Sequence, residues 1–361
     1  MKKGRRTIIH VVQHLAPGGI ESLALDFITF GDANDDVYIV SLQGTKTDAM
    51  AKWPRLQAFS RQLIFLNKPE RFCSKTFSDL CALFKGLSVD VVHTHHIGPL
   101  LYAGVAAKLS GVRSKVHTEH DVWHLNRFKH QQIQKLLLNW VKPVLVADAV
   151  KVEQRLNDLF AYAKLTTIHN GIDTKHFLPG DKLSARRTLN IPENAIIIGS
   201  AGRLEAVKGH DLLIHAFSLL PKQYMLAIAG DGSQMTSLIG LVKSLDLQER
   251  VLFLGRVDNM PCFYQSLDLF CLPSRHEGFP LTAIEAQACA IPTLVTDVGA
   301  SNETLCPNSG LLVAPNSPNE LASAIETFRF NTGSPRDFVV NNHDIRDVVT
   351  KYSQLFAKEA A

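Results

Sequence analysis

Arg275-His276-Glu277-Gly278-Phe279-Pro280-Leu281-Thr282-Ala283-Ile284-Glu285 follows a short apolar run, Leu267 to Leu272, and leads into an apolar-periodic segment. The pattern reads as strand, sharp loop, then helix, with Pro280 pre-set for the first helical turn. Glu277 sits in the loop. Glu285 lies roughly one and a half turns into the helix. Between them fall backbone N–H groups at a helix N-terminus, which attract anions. One short element can therefore hold the hydroxyls of a sugar, the phosphates behind it and the ribose behind those. A plain packing unit with two solvated glutamates has the same local pattern, so the rest of the chain must decide.

Upstream, the β-rich run Ile196-Ile197-Ile198-Gly199-Ser200-Ala201 ends in Gly202-Arg203-Leu204-Glu205, and Lys208-Gly209 precedes an amphipathic segment from Asp211 to Leu220. The cations Arg203 and Lys208 thus fall at the C-terminal end of a parallel-type strand, where open α/β sheets bind ligands. Two fixed positive charges beside a helix N-terminus suit a diphosphate that gains charge as it leaves. Gly230-Asp231-Gly232 follows the next strand.

Short β-branched runs alternate with helical patterns along the whole chain. Strands are expected over Thr7–Val12, Val37–Leu42, Gln62–Leu66, Val89–His93, Lys115–His117, Val144–Ala147 and Leu165–Ile168. After Asn170-Gly171 the pattern restarts, with strands over Ile196–Ala201, Met225–Ala229, Val251–Leu254, Leu269–Leu272, Thr293–Thr296 and Leu311–Val313. The fold class is α/β, with two parallel sheets covered by helices. The boundary falls near Asp173 to Leu183, which gives domains over 1–175 and 176–343. A polar stretch from Arg329 to His343 precedes a last helical pattern over Asp344–Ala357, within a final segment 344–361.

At 361 residues and 46% apolar content the chain can bury two cores. Residues 1–175 hold 23 Lys+Arg against 15 Asp+Glu, a net of +8, whereas 176–361 hold 15 against 19, a net of −4. The basic half favours an anionic partner. It has no basic stripe with interleaved aromatics, so a nucleic acid is not the expected partner. The six cysteines form no Cys-x-x-Cys pair and are expected to be reduced core residues of a cytosolic protein. No stretch of about 20 apolar residues occurs. The segment Trp123 to Val141 mixes Arg127, Lys129 and Lys135 with Phe128, Leu136 and Trp140. It could form an interfacial amphipathic helix on an anionic membrane or simply pack on its own domain.

Further candidates are Gly18 and Gly19, which open a helix after the first strand, and a histidine group. His93, His95 and His96 cluster from the end of the fourth expected strand onward, and His117 and His120 from the end of the next, five histidines within 28 residues. Such strand ends face the crevice of an open sheet. No Asp, Glu or Cys stands at metal spacing to them, so no metal site is expected. Glu303, after Asp297-Val298-Gly299-Ala300, is placed to close a pocket near a diphosphate. No Asp-x-Asp pair is present, and Arg203 with Lys208 can do a metal's electrostatic work. A nicotinamide fingerprint is missing from both glycine loops.

In this order and spacing the motifs resemble the family-4 retaining glycosyltransferases over nearly the whole chain. The resemblance rests on Gly18-Gly19, His120 in Val116-His117-Thr118-Glu119-His120-Asp121, the junction His169-Asn170-Gly171-Ile172-Asp173, Gly202-Arg203, Lys208, and Glu277 with Glu285. It implies the GT-B fold, two facing Rossmann-like domains with an interdomain cleft, the first on the acceptor side and the second binding a nucleotide-sugar. It also implies that the last helix crosses back to the first domain. His120, or failing it His117, would line the sugar pocket, accepting from a hydroxyl or steadying the reacting face. Gly18 and Gly19 would lie beside the donor diphosphate, and Arg256 with Val257 along the base. Gly202, Gly278, Phe279, Pro280 and Leu281 complete the donor set. The chain departs from the family at Ala300, Ala290 and Ala147-Asp148, positions where the family often carries Gly, Gly and Ser.

The expected activity is transfer of a sugar from a nucleoside diphosphate sugar, first of all a UDP-sugar, to a hydroxyl acceptor. No cofactor and no metal are expected, and the anomeric configuration is kept. The expected setting is bacterial surface polysaccharide or lipopolysaccharide synthesis, with a lipid-linked glycan acceptor and placement in the cytoplasm or on the inner face of the cytoplasmic membrane. The alternatives are an epimerase or hydrolase of the same fold and a binding-only relative.

Overall fold

The structure, a computed structural model, describes residues 5–328 and 333–360. Most of the basic start of the chain (1–4) and the first part of the polar stretch (329–332) lie outside the described residues. The chain divides into two compact units, Met1–Asn170 with Ile345–Ala361, and Gly171–Asp344.

The first unit holds a seven-stranded parallel sheet in the order β3-β2-β1-β4-β5-β6-β7. Its strands are β1 (Arg6–Val12), β2 (Asp35–Ser41), β3 (Leu63–Phe65), β4 (Val91–His95), β5 (Ser114–Glu119), β6 (Val144–Ala147) and β7 (Leu165–Thr167). Every residue of β4 and of β6 is buried, as expected of a parallel sheet covered on both faces. The helix Ile345–Ala360 buries Ile345, Val348, Val349, Tyr352 and Phe356 in the same cluster as Ile8, Phe27, Val91 and Val116. The end of the chain therefore contributes to the core built by its beginning.

The second unit holds a six-stranded parallel sheet in the order β10-β9-β8-β11-β12-β13. Its strands are β8 (Ile196–Ala201), β9 (Tyr224–Ala229), β10 (Val251–Gly255), β11 (Leu269–Leu272), β12 (Thr293–Thr296) and β13 (Gly310–Val313). Apolar clusters cover both faces, one around Leu213, Phe217 and Leu226, the other around Phe263, Tyr264 and Phe270. In both sheets the strand order reverses beside the first strand of the unit. Such switch points open crevices at strand C-termini.

Two expectations need correction. The fourth and fifth strands run further than their apolar residues suggest, so His93, His95 and His117 lie inside strands and are buried rather than beyond the strand ends. Pro280 stands at the N-cap of the helix Leu281–Ala288, at φ −74° and ψ 106°, and not within its first turn. The residues 335–342 of the polar stretch form a helix of their own, Pro335–Asn342, capped by Ser334. At Ala290 the backbone takes φ +63°. The family's frequent glycine would adopt that conformation more easily.

Candidate functional site

In the second unit the strand-end loops are laced together by backbone hydrogen bonds. The Gly202 N–H donates to the Ala229 carbonyl at 3.1 Å, Leu204 to Asp231 at 2.9 Å and Gly230 to Gly255 at 2.7 Å. Lys208 ends a short 3-10 turn, Ala206–Lys208, and Gly209 follows at φ +67°. A Cβ on Gly209 would stand 2.1 Å from the Pro273 carbonyl oxygen, so only glycine lets this loop meet the loop after β11. The same holds for Gly299, at φ +54°, where a Cβ would fall 1.8 Å from the Glu277 carbonyl oxygen.

The close approach brings Lys208 and Glu277 together. The Lys208 ammonium donates to both carboxylate oxygens, at 2.7 and 3.0 Å, and the Ser274 hydroxyl adds a third bond at 2.6 Å. Glu277 is buried, at 6% exposure. The Lys208 side chain keeps 21% of its surface in solvent, and an ammonium carries three N–H donors. Arg275 locks the two loops. It donates to both oxygens of Asp211, at 2.8 and 2.6 Å, and to the Ala206 carbonyl at 2.7 Å. Neither Arg275, Asp211 nor Ser274 stood out in the sequence. Each supports a candidate from a position that spacing alone does not mark.

Arg203 is exposed at the end of β8. Its neighbour Glu205 is held by Ser233, whose hydroxyl and N–H donate at 2.6 and 3.1 Å and keep that carboxyl below its usual range. Glu285 lies in the helix Leu281–Ala288 and accepts from the Tyr264 hydroxyl at 2.6 Å. Tyr264 is fully buried. Burial and the adjacent Glu285 push its hydroxyl well above the ordinary range, so it remains a donor. The helix opens with no side-chain cap, which leaves its first N–H groups beside Gly278 and Phe279 for an anion. Phe279 is buried and its ring lies 5.5 Å from that of His343. Ala300 N–H donates to the Gly278 carbonyl at 3.1 Å, which fixes the turn Ser301–Thr304 that carries Glu303. Arg256 is exposed after β10, 3.7 Å from Asp258, with Val257 beside it. The strand-end loops therefore present Arg203, Lys208 and the N-terminus of the helix Leu281–Ala288 to an anion, with carboxylates at Glu277 and Glu285.

In the first unit Gly18 caps the helix Gly19–Phe30. A Cβ on Gly18 would meet the Glu21 carboxylate at 2.3 Å. His120 is buried at 4% exposure, and both ring nitrogens are engaged. Nδ1 faces Asp148 at 3.2 Å, and Nε2 faces His95 at 3.0 Å. Asn170, from the junction motif, donates to the same Asp148 oxygen at 2.9 Å. Of the two roles considered for His120, accepting from a sugar hydroxyl would require displacing His95. Steadying the reacting face needs no rearrangement. His117 bonds Thr94 at 2.9 Å and Glu119 at 2.8 Å, both internal, so it belongs to the core. Burial lowers His120 to about 4 and keeps it neutral.

His124 and His210 give the protein a pH signature. Burial alone would lower His124, but Asp121, 3.7 Å from its Nδ1, the Glu119 charge and the hydrogen bond to Gln134 outweigh that and raise it to about 9 from 6.5. Its contribution to stability is complete below about pH 6.5 and is lost as pH climbs through about 9. Burial lowers His210 to about 4, as it does His120. As pH falls from about 6.5 toward 4, the unfolded chain takes up a proton that the folded chain refuses, and stability falls. Melting temperature should therefore peak near pH 6.5. His124→Gln should remove the alkaline decline and leave the acid one. An alkaline decline of the same size in that variant would show that His124 does not cause it.

The sequence model described as Glycosyltransferase Family 4 matches residues 17–176, and that described as Glycosyl transferases group 1 matches residues 181–343. The chain belongs to this family of glycosyltransferases. It is 31% identical over 217 residues to the O-antigen biosynthesis glycosyltransferase WclY of Escherichia coli, a match covering 58% of this chain and 61% of that protein. To the lipopolysaccharide core biosynthesis mannosyltransferase LpsB of Rhizobium meliloti it is 36% identical over 175 residues, 45% of this chain and 50% of that protein. The chain thus spans less than two thirds of the length of either curated relative. Among solved structures it is similar to Anabaena Alr3699/HepE in complex with UDP, with a TM-score of 0.85 and 19% identity over 98% of this chain and 100% of that one. A glycosyltransferase from Rickettsia africae gives a TM-score of 0.84 at 22% identity, over 98% of both chains. These likenesses establish the GT-B class of fold, with two Rossmann-like units.

Proposed function

We propose that the chain is a retaining, metal-independent glycosyltransferase. It moves a sugar from a nucleoside diphosphate sugar, foremost a UDP-sugar, to a hydroxyl of a glycan acceptor in bacterial surface polysaccharide or lipopolysaccharide assembly. The observation that carries this reading is Lys208, bonded to both oxygens of Glu277 and still part exposed at a strand end beside exposed Arg203. Such a pair of cations neutralises a diphosphate at the moment it departs, which is where fixed charge accelerates transfer. The names of WclY and LpsB support the setting, and the UDP complex of a structural relative supports the donor class.

In this reading the acceptor O–H breaks as the new bond to the anomeric carbon forms. The bond from that carbon to the diphosphate breaks on the same face, and the leaving phosphate oxygen takes the proton. Gly171–Asp344 carries nucleotide affinity, with Glu285 on the ribose and Arg256 and Val257 along the base. Gly278, Phe279 and Leu281 turn backbone toward the phosphates, and Glu303 closes on them. Met1–Asn170 carries acceptor recognition, with His120 as a positioning residue, and its Gly18-Gly19 loop approaches the donor diphosphate. Glu277 acts chiefly by orienting Lys208, because its oxygens are already bonded.

Membrane contact belongs to the same proposal. The helix Phe128–Val141 exposes Phe128 (72%), Leu136 (70%) and Trp140 (45%) next to exposed Lys129 and Lys135, a composition suited to an anionic surface. Among the described residues no helix is long and apolar enough to cross a membrane.

Transfer from a UDP α-sugar in excess EDTA tests retention and metal independence together. The product should form at the rate seen without EDTA, and its anomeric proton coupling should show the α configuration. A β product would remove the same-face step. Loss of turnover in EDTA with recovery on Mg²⁺ or Mn²⁺ would remove the role given to Arg203 and Lys208.

A further inference from the structure

We propose that His10, His93 and His95 bind one transition-metal ion through their imidazole nitrogens, as a structural site inside the first unit. Strand geometry brings them together. His10 pairs in register with His93 across the parallel β1–β4 ladder, and His95 lies two residues further along β4, on the same face. All three are buried, with exposures of 0%, 0% and 1%. One ring nitrogen from each lies within 4.8 Å of the others. Four-coordinate zinc at about 2.0–2.1 Å from each nitrogen needs them about 3.3 Å apart, a contraction within reach of small ring shifts.

The hydrogen bonds around the rings favour this use. The Asp148 carboxylate is the acceptor in its contact with His120 Nδ1, so His120 Nε2 is left to accept from His95 Nδ1–H. The lone pair of His95 Nε2 then faces His10 Nδ1 at a long 3.5 Å. His10 Nε2 has no hydrogen-bond partner, nor has His93 Nδ1, although both are buried. The other nitrogen of His93 meets the Thr118 hydroxyl at 2.7 Å, which in turn bonds the Tyr352 hydroxyl at 3.0 Å. Buried polar atoms without partners are few in folded proteins, and an ion held by His95 Nε2, His10 Nδ1 and His93 Nδ1 would engage the second of these two. An Asp148–His120–His95 chain leading to a metal is the carboxylate–histidine arrangement that holds ligating imidazoles in one tautomer. Neutral imidazoles suit zinc, copper or nickel rather than magnesium or calcium.

The surroundings make this a structural ion. Phe27 stacks on His10 at 4.4 Å between centroids, and Tyr352 and Phe356 lie within 5.1 and 5.8 Å of His93. The ion would tie β1 and β4 together beneath Tyr352 and Phe356 of the helix Ile345–Ala360, and no step of sugar transfer passes through it.

The test uses the full chain, free of any histidine tag, loaded with Zn²⁺ or Co²⁺ and then gel-filtered. About one ion per chain should remain, with the visible bands of four-coordinate cobalt, and Zn²⁺ should raise the melting temperature by several degrees. In His10→Gln and His93→Gln, occupancy should fall at least tenfold. If either variant fails to fold, X-ray absorption of the wild-type zinc complex decides, and a shell with three imidazoles is expected. Retention of no metal by the wild type, unchanged occupancy in both variants, or a shell without imidazoles would each overturn the site. The first of these results would leave a buried water as the occupant.

Discussion

Lys208→Ala and Arg203→Ala should each lower turnover by roughly 100-fold or more, as loss of one transition-state electrostatic donor typically does. The two should separate in stability. Arg203 is exposed, so its loss should leave the melting temperature nearly unchanged. Lys208 is bonded to both oxygens of a carboxylate that is 6% exposed. Removing it leaves Glu277 buried without its cation, at a cost of about 1–3 kcal/mol once discounted for the part-exposed lysine. The double variant Lys208→Ala with Glu277→Gln should recover much of that stability and none of the turnover. Recovered turnover would mean that Lys208 serves only to neutralise Glu277. Near-normal turnover in both single variants would remove the proposed leaving-group role.

Glu285→Ala should weaken nucleoside diphosphate binding by roughly 10- to 100-fold, the loss expected for a carboxylate holding two ribose hydroxyls. It should also strand the buried Tyr264 hydroxyl, so Tyr264→Phe is the useful control. That variant keeps the carboxylate and should keep most of the affinity. His120→Ala should leave nucleotide binding nearly intact and cut transfer, because its bonds run to Asp148 and His95 rather than outward. A kcat loss at constant KM would match a positioning residue. Calorimetry that shows affinity lost with His120 and kept without Glu285 would reverse the assignment of the two units.

How far the sequence could be read follows from the range over which its signals act. The restarts of βα alternation and the loop from Arg275 to Glu285 are local patterns, and the sheets carry them where expected. The ion pair of Lys208 with Glu277 joins residues 69 positions apart and depends on two loops meeting at Gly209. Periodicity holds no trace of such a meeting. Arg275 with Asp211 and Tyr264 with Glu285 are of the same kind. The histidines misled for another reason. A fully buried parallel strand shows no apolar–polar alternation, so polar side chains in β4 and β5 looked like strand ends. The two-residue spacing of His93 and His95 was the available clue, since it places both on one face of a strand. That His10 would join them depends on the β1–β4 register, which pairwise spacing does not encode.

The most direct test of the account is a donor panel. The purified chain is incubated, in EDTA and with a bacterial lipid-linked glycan fraction, with UDP-, GDP-, ADP- and dTDP-sugars in parallel, and the nucleoside diphosphate released is quantified. Acceptor-dependent release of one nucleoside diphosphate is expected, UDP before the others, and lowered roughly 100-fold or more in Arg203→Ala. Release that needs no acceptor would make the protein a hydrolase. Absence of release from every donor, despite measurable nucleotide binding, would make it a binding-only relative and contradict the account.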